Sequence, residues 1–590
     1  MTDLARLVAP TTVRVADVEA TGTRRAFLAD ADTETLQLWL ARDGEAPVRV
    51  SDHADPVAFA AFRPGEAAGQ LVYGIDHGGD ENQELRLLDL ADLRSRPLTA
   101  APAARHVFGA FHPDGRALAY TTNATDGVAM DVVVMSLEDG ASRRVLRGDG
   151  LLRVEAWSPC GRFLAVVAEH AALREELHLL DLATGARHPL LGAGAAAIAH
   201  GVRFLTEGDL VLVTDAGRDR AGVARLARGD GRLDWWLAPE VDVDAIALDP
   251  AGRRLAATLN HQGFTTLEVH DRGGGAPVRF PLDGIAADLR WHPNGAALAA
   301  TVETPVTPPR PWCFDPAGGR AAPAAGFAPP ERAGDAPEVV HVESFDGRRV
   351  PGLLYRPPRA AEPAPAVTAL HGGPESQWRP GWHGEVAAML ARGWTVLAPN
   401  LRGSTGYGRI YAGLDDGPRR TDVFADLAAV GRWLAGRDDV DAARLALWGR
   451  SYGGFVTLAG LAREPARWCC GVAFYGMTDL ATFLRETAAY RRVHRSAEYG
   501  DPETDGALLA ELSPLARAAA LRAPVFLAHG RGDPRVRPAE SRRMAAALQA
   551  RGHPVEHLEI AGEGHGFTKR ANRIEVWRRA LGFLTAQLDG

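Results

Sequence analysis

The 590-residue sequence predicts a seven-bladed β-propeller followed by an α/β domain built on a parallel sheet. Three observations predict this. A Pro/Gly turn followed by a short apolar strand recurs through the first half of the chain. From about residue 337, apolar strands alternate with amphipathic helices. Within that second half, Gly449-Arg450-Ser451-Tyr452-Gly453 sits between an apolar run and a helical pattern.

The recurring turn reads Arg63-Pro64-Gly65, His112-Pro113-Asp114-Gly115, Ser158-Pro159-Cys160-Gly161, Thr206-Glu207-Gly208, Asp249-Pro250-Ala251-Gly252 and His292-Pro293-Asn294-Gly295. The markers are spaced by about 43 to 49 residues, enough for four short strands per unit, as in a propeller blade. With the unmarked unit at 23–44, the count is seven blades over residues 15–305. Residues 1–14 are then an N-terminal extension. The stretch 306–336 holds Pro308, Pro309, Pro311, Pro329 and Pro330 and reads as a Pro/Ala-rich hinge, since proline disfavours helix interiors and central strands.

The remaining residues, 337–590, carry the chemistry. A strand-turn-helix around Gly-x-Ser-x-Gly is a nucleophile elbow: small flanking residues permit a sharp corner that lifts the serine Oγ above the sheet edge. That identifies an α/β-hydrolase domain. A serine hydroxyl needs a base, and the base needs an orienting carboxylate. The chain supplies both in the expected order, each in a loop just after a strand: Asp533 after the run Ala523–Gly530, and His565 between two glycines after Val555–Ile560. Ser451, Asp533 and His565 are therefore the expected catalytic triad. The loop His371-Gly372-Gly373-Pro374 follows another strand, and the amides of Gly373 and Tyr452 are assigned to the oxyanion hole. His371 is read as a structural loop histidine.

These stretches resemble the prolyl oligopeptidase family of serine peptidases, most closely its acylaminoacyl-peptidase and bacterial dipeptidyl-peptidase-like branch. The similarity rests on HGGP at 371–374, NLRGSTGYGR at 400–409, GRSYGGF at 449–455, YGDP at 499–502, SPL at 513–515, HGRGDPRV at 529–536 and GEGHGF at 562–567. The resemblance implies a peptidase whose propeller admits short peptides and excludes folded proteins. It implies that Arg535 binds the carbonyl of the residue before the scissile one. It also places an apolar specificity pocket near Phe474, Tyr475 and Met477, for which a plain core is an equal reading. An exopeptidase needs a carboxylate for the substrate's ammonium. Glu81 could supply it, although a solvated loop acid is the more ordinary reading. Family members often tie an N-terminal segment back onto the catalytic domain; with about 15 residues before the first blade, that contact is left open here.

Composition bounds the remaining choices. A net charge of −8 on this length argues against a nucleic-acid or anionic-membrane partner. Cys160, Cys313, Cys469 and Cys470 show no metal spacing, which suits free thiols in the cytoplasm. No metal or cofactor is expected, no segment reads as a signal peptide or membrane span, and nothing speaks for or against a homo-oligomer. The expected function is hydrolysis of short peptides, by acylaminoacyl- or dipeptidyl-type release or as an oligopeptidase. The alternatives are an esterase, transacylase or amidase on the same scaffold, and a propeller binding module with an inactive hydrolase.

Overall fold

The computed structural model describes residues 2–65, 69–192, 196–327, 332–358 and 363–589. Seven antiparallel four-stranded sheets span 13–49, 57–97, 106–146, 151–191, 200–237, 242–281 and 285–323, each built from four consecutive strands. Their second strands are mostly apolar at their centres because neighbouring blades cover both faces. Leu210–Thr214 and Leu164 to Val167 are wholly buried. Fourth strands such as Ser95–Pro97 and Arg320–Pro323 are fully exposed and short, which limits edge pairing.

The repeated turn has a single geometry. Gly115, Gly161, Gly252 and Gly295 take φ between 66° and 78°. Each donates its amide three residues back, at 2.8–2.9 Å, to His112, Ser158, Asp249 and His292 respectively. Left-handed backbone at that position is what selects glycine. The ring closes without a shared strand. Blades 1 and 7 meet through the Arg14–Asp288 ion pair at 3.1 Å, Val15 N donating to Thr301 Oγ1 at 2.8 Å, and Phe27 packed edge-on to Phe327.

The expected hinge begins too early. Thr307–Asp315 and Arg320–Pro323 are the third and fourth strands of blade 7. Pro311 pairs across from Thr301, and the register shifts between Val302 and Thr304, where Pro308 and Pro309 come in. A ladder irregularity of this kind is where strands tolerate proline. Pro329 and Pro330 lie outside the described residues. The N-terminal contact left open by the sequence is present. Helix Thr2–Val8 packs on catalytic helices Gly384–Leu390 and Arg570–Leu588. Trp382 Nε1 donates to Leu7 O at 3.2 Å, and a Cβ on Gly384 would collide with that carbonyl.

The second half forms one eight-stranded sheet in the order Glu338–Glu343, Arg349–Tyr355, Thr395–Pro399, Ala364–Leu370, Val440–Arg450, Cys470–Phe474, Val525–Gly530, Val555–Ile560. The first two strands are an antiparallel hairpin and the last six run parallel. Helices cover both faces and close two apolar cores. Leu447, Phe455 and Leu527 lie in one; Trp448, Phe474 and Trp577 lie in the other. Loops at the C-terminal ends of the parallel strands face the propeller, so ligands are expected there.

Candidate active site

Ser451 joins strand Val440–Arg450 to helix Tyr452–Arg463 at φ 55° and ψ −118°, outside the regions a serine prefers. The corner is possible only with glycine on either side. A Cβ at Gly449 would stand 2.2 Å from Gly453 O, and one at Gly453 the same distance from Leu370 O. Ser451 Oγ lies 2.9 Å from His565 Nε2, and His565 Nδ1 lies 2.6 Å from Asp533 Oδ2. Asp533 is fully buried, and its Oδ1 accepts the amides of Arg535 at 2.8 Å and Val536 at 3.0 Å. Burial alone would raise the Asp533 pKa. The charge and hydrogen bond of His565, reinforced by His529, outweigh it and hold the carboxyl below the usual range.

His529 was not singled out by the sequence. Its Nε2 donates to Val536 O at 2.8 Å and stands 3.2 Å from Asp533 Oδ2, while Nδ1 meets Ser541 Oγ at 2.6 Å. It thereby braces the same carboxylate oxygen that His565 contacts. The only sequence signal was its place at the end of the strand leading to Asp533.

The His371–Pro374 loop crosses over the nucleophile. A Cβ on Gly372 would sit 3.5 Å from Ser451 Cβ, and Gly373 has φ 105°. His371 anchors this loop, with Nε2 at 2.8 Å from Ser404 Oγ. Tyr452 N, at the start of its helix, is among the amides that have no intrahelical acceptor. The Tyr452 side chain points away into a buried charged cluster. Its hydroxyl donates to Asp415 Oδ2 at 3.1 Å, and Arg420 pairs with both Asp415 and Glu498.

Of the other expected pocket residues, Phe474 and Tyr475 line one small cavity together and Met477 does not. Phe474 is core, packed on Trp448, Phe526 and Trp577. Tyr475 covers the catalytic histidine, ring centroids 4.8 Å apart, at a strained φ of 37°. Met477 lies in the opposite core with Tyr452 and Val536. Side chains along strand Cys470–Phe474 alternate between the two faces of the sheet; Phe474 and Tyr475 fall in one core and Met477 in the other.

The propeller reaches the chemistry through the 77–82 loop of blade 2. Gly79 stacks on Gly564, the residue before His565, so closely that a Cβ on Gly79 would stand 2.3 Å from Gly564 N. Glu81, at φ 61°, pairs with Arg535 Nε; its carboxylate also accepts from Tyr490 OH at 3.2 Å. Arg105 Nη1 donates to Glu81 O at 3.0 Å. Glu81 is therefore no solvated loop acid. Further round the ring, Arg409 pairs with Asp215 at 2.7 Å and Arg379 with Asp244 at 2.6 Å. They border an interdomain cavity of about 540 Å³ whose lining includes Glu375 and Arg495 but no triad residue. A smaller one, about 240 Å³, backs the histidine loop at Tyr475 and Phe567.

Residues 382–590 match the sequence profile described as the prolyl oligopeptidase family. Residues 382–590 form a prolyl oligopeptidase family domain. This domain is similar to that of dipeptidyl aminopeptidase BIII from Pseudoxanthomonas mexicana, 34% identical over 233 residues, or 39% of this chain and 34% of that protein. The acylamino-acid-releasing enzyme of Rattus norvegicus is 27% identical over 233 residues, 38% of this chain and 31% of that one. The matched stretch thus spans about a third of the length of these curated relatives. The two-part architecture is shared with a puromycin-hydrolyzing peptidase of Mycobacterium tuberculosis: TM-score 0.89 at 22% identity, covering 99% of this chain and 95% of that one. A prolyl endopeptidase structure covers 100% of this chain and 91% of its own at TM-score 0.87 and 18% identity. The likeness in fold therefore extends over the propeller as well as the prolyl oligopeptidase domain.

Proposed function

We propose that the protein is a serine peptidase that releases short N-terminal acyl units from oligopeptides through an acyl-enzyme on Ser451. One observation carries the reading: a strained, glycine-flanked serine in hydrogen-bond sequence with His565 and a buried Asp533. His565 takes the Ser451 proton as Oγ attacks the scissile carbonyl, and the amides of Gly373 and Tyr452 receive the oxyanion. His565 then passes that proton to the departing amine and activates the water that releases the acyl group. Asp533 fixes the imidazole tautomer and stabilises its cation.

Arg535 is the candidate anchor for the substrate backbone. Glu81 holds its Nε, while its side chain stays 41% exposed with the Nη donors available. Glu81 is itself engaged by Arg535, Arg105 and Tyr490, so it acts by orienting Arg535 rather than as a free acceptor for an ammonium. That favours N-terminally blocked peptides over dipeptidyl-type release, which needs a free acceptor for the substrate's ammonium. The propeller, which here touches the catalytic histidine loop, would act as the size filter. Four unbridged cysteines support a reducing, cytoplasmic setting. No helix among the described residues is long and apolar enough to cross a membrane.

The test is hydrolysis of acetyl-aminoacyl, free dipeptidyl and longer blocked peptide anilides beside an aryl ester, by wild type and Ser451→Ala. The blocked anilides should be cleaved faster than the free dipeptidyl one, with the alanine variant inactive. Turnover of the ester alone would leave the triad in place but make the protein an esterase.

A further inference from the structure

Helix Ala489–Tyr499 lies beside the Asp533 loop and the blade 2 loop that carries Glu81. It is tied to the loop that carries Asp533: Ala488 N donates to Pro534 O at 3.1 Å, and Thr487 Oγ1 to Arg535 O at 2.8 Å. Its first turn presents Tyr490, whose hydroxyl reaches Glu81 and whose ring lies under the Arg105 guanidinium at 5.4 Å. One turn on, Arg495 pairs with Glu375 at 3.3 Å.

Between these residues stands Arg491, half-buried, with Arg535, Arg495, Tyr490 and Glu81 among its charged and titratable neighbours. Among the described residues its side chain has no ion pair and no hydrogen bond. The count of charges explains why. Glu81 is shared by Arg535 and Arg105, and Glu375 is taken by Arg495. Four guanidiniums meet two carboxylates, and Arg491 is left over. Glu169 of blade 4 lies near the same helix but is committed to Arg153. Arginine does not shed its proton in a protein, so a half-buried guanidinium with no carboxylate of its own is left open to pair with an anion that a ligand brings.

We propose that Arg491 is an anion subsite for the substrate's acyl segment. The ligand class is peptides with an acidic side chain, Glu or Asp, on the residue preceding the one whose carbonyl Ser451 attacks. Arg535 places that residue's backbone, and Arg491 is its neighbour in the cluster. A singly charged carboxylate suits the guanidinium fork. A doubly charged phosphate would meet more repulsion from Glu81. The surplus of positive charge also disfavours a free ammonium at this place. The inference rests on the peptidase reading and adds its substrate class.

The experiment compares two acetylated dipeptidyl anilides that differ only in Glu against Gln at that residue. In wild type at low salt, kcat/KM should favour Glu by about 10-fold or more, the usual worth of a charge-assisted hydrogen bond. Arg491→Met should bring the ratio close to one and Arg491→Lys should retain part of it. Each ratio is taken within one variant, so partial misfolding cancels. Equal rates in wild type, or a Glu preference that persists in Arg491→Met, overturn the proposal. If neither anilide is hydrolysed, the peptidase reading fails separately. The same two peptides are then used to slow fluorophosphonate labelling of Ser451. Stronger protection by the Glu peptide in wild type but not in Arg491→Met upholds the subsite; equal protection overturns it.

Discussion

Asp533 is buried, doubly hydrogen-bonded by backbone amides and flanked by two imidazoles, and its role follows from being ionised. Asp533→Asn keeps the shape but lets His565 adopt the wrong tautomer, so kcat should fall by about 10⁴ with little change in KM, read by steady-state kinetics. Its depressed pKa also links to stability. The ionised form is favoured in the folded state, so this contribution is complete above the ordinary value of 3.8 and is lost as pH falls below it. Glu498 has the opposite sign. Desolvation outweighs the pull of Arg420 and raises its pKa well above 4.5, so its share of stability is greatest below pH 4.5 and declines as pH rises. Glu498→Gln should therefore hold or raise the melting temperature at pH 7 and flatten its decline above pH 5. Arg420→Met should cost about 3–5 kcal/mol in denaturant titrations, because it strands buried carboxyls. At this scale the sequence exposed Ser451, Asp533 and His565, because each follows a strand with its own turn chemistry. It hid His529 and the Glu81–Arg535 pair. His529 reads as strand, and no local pattern joins residues 454 positions apart.

The loop elements meet where glycine allows it. Gly79 and Gly564 bring the blade 2 loop against the histidine loop at backbone distance. Gly564→Ala should separate the two loops and lower kcat/KM by at least about 10-fold, since ångström-scale misplacement of a catalytic group is that costly. The folded fraction, read by circular dichroism, should stay near wild type. The blade repeat was legible because its turn demands glycine at one position in a left-handed conformation. The last blade's outer strands were not legible, since proline composition outweighed a pairing visible only against strand Leu298–Thr304. The docking of helix Thr2–Val8 was equally hidden, because its partners are helices nearly 400 and 570 residues away. Phe474 shows the limit from the other side: an aromatic at the end of the strand after the elbow helix packs in the core once the strand's alternation is placed.

Across the whole molecule, the propeller is fastened to the catalytic domain by arginines that cross the interface. Arg379 reaches Asp244 and Gly263, and Arg409 reaches Asp215 and Leu173. Pairs this sheltered are screened less by salt than surface ones. Joint replacement of Arg379 and Arg409 by alanine should loosen the ring and raise the rate on peptides of about 30 residues relative to short anilides, measured by competition in one reaction. The ring and the sheet were legible as architectures; their mutual placement depends on charges scattered over both halves. The central claim is that Ser451 is a nucleophile activated by His565 and Asp533. It is tested most directly by reacting wild type, Asp533→Asn and Ser451→Ala with a fluorophosphonate and mapping the adduct by mass spectrometry. A single adduct on Ser451, slowed in Asp533→Asn and absent in Ser451→Ala, is the predicted result. An unmodified Ser451 in the wild type, or an adduct on another residue, would contradict it.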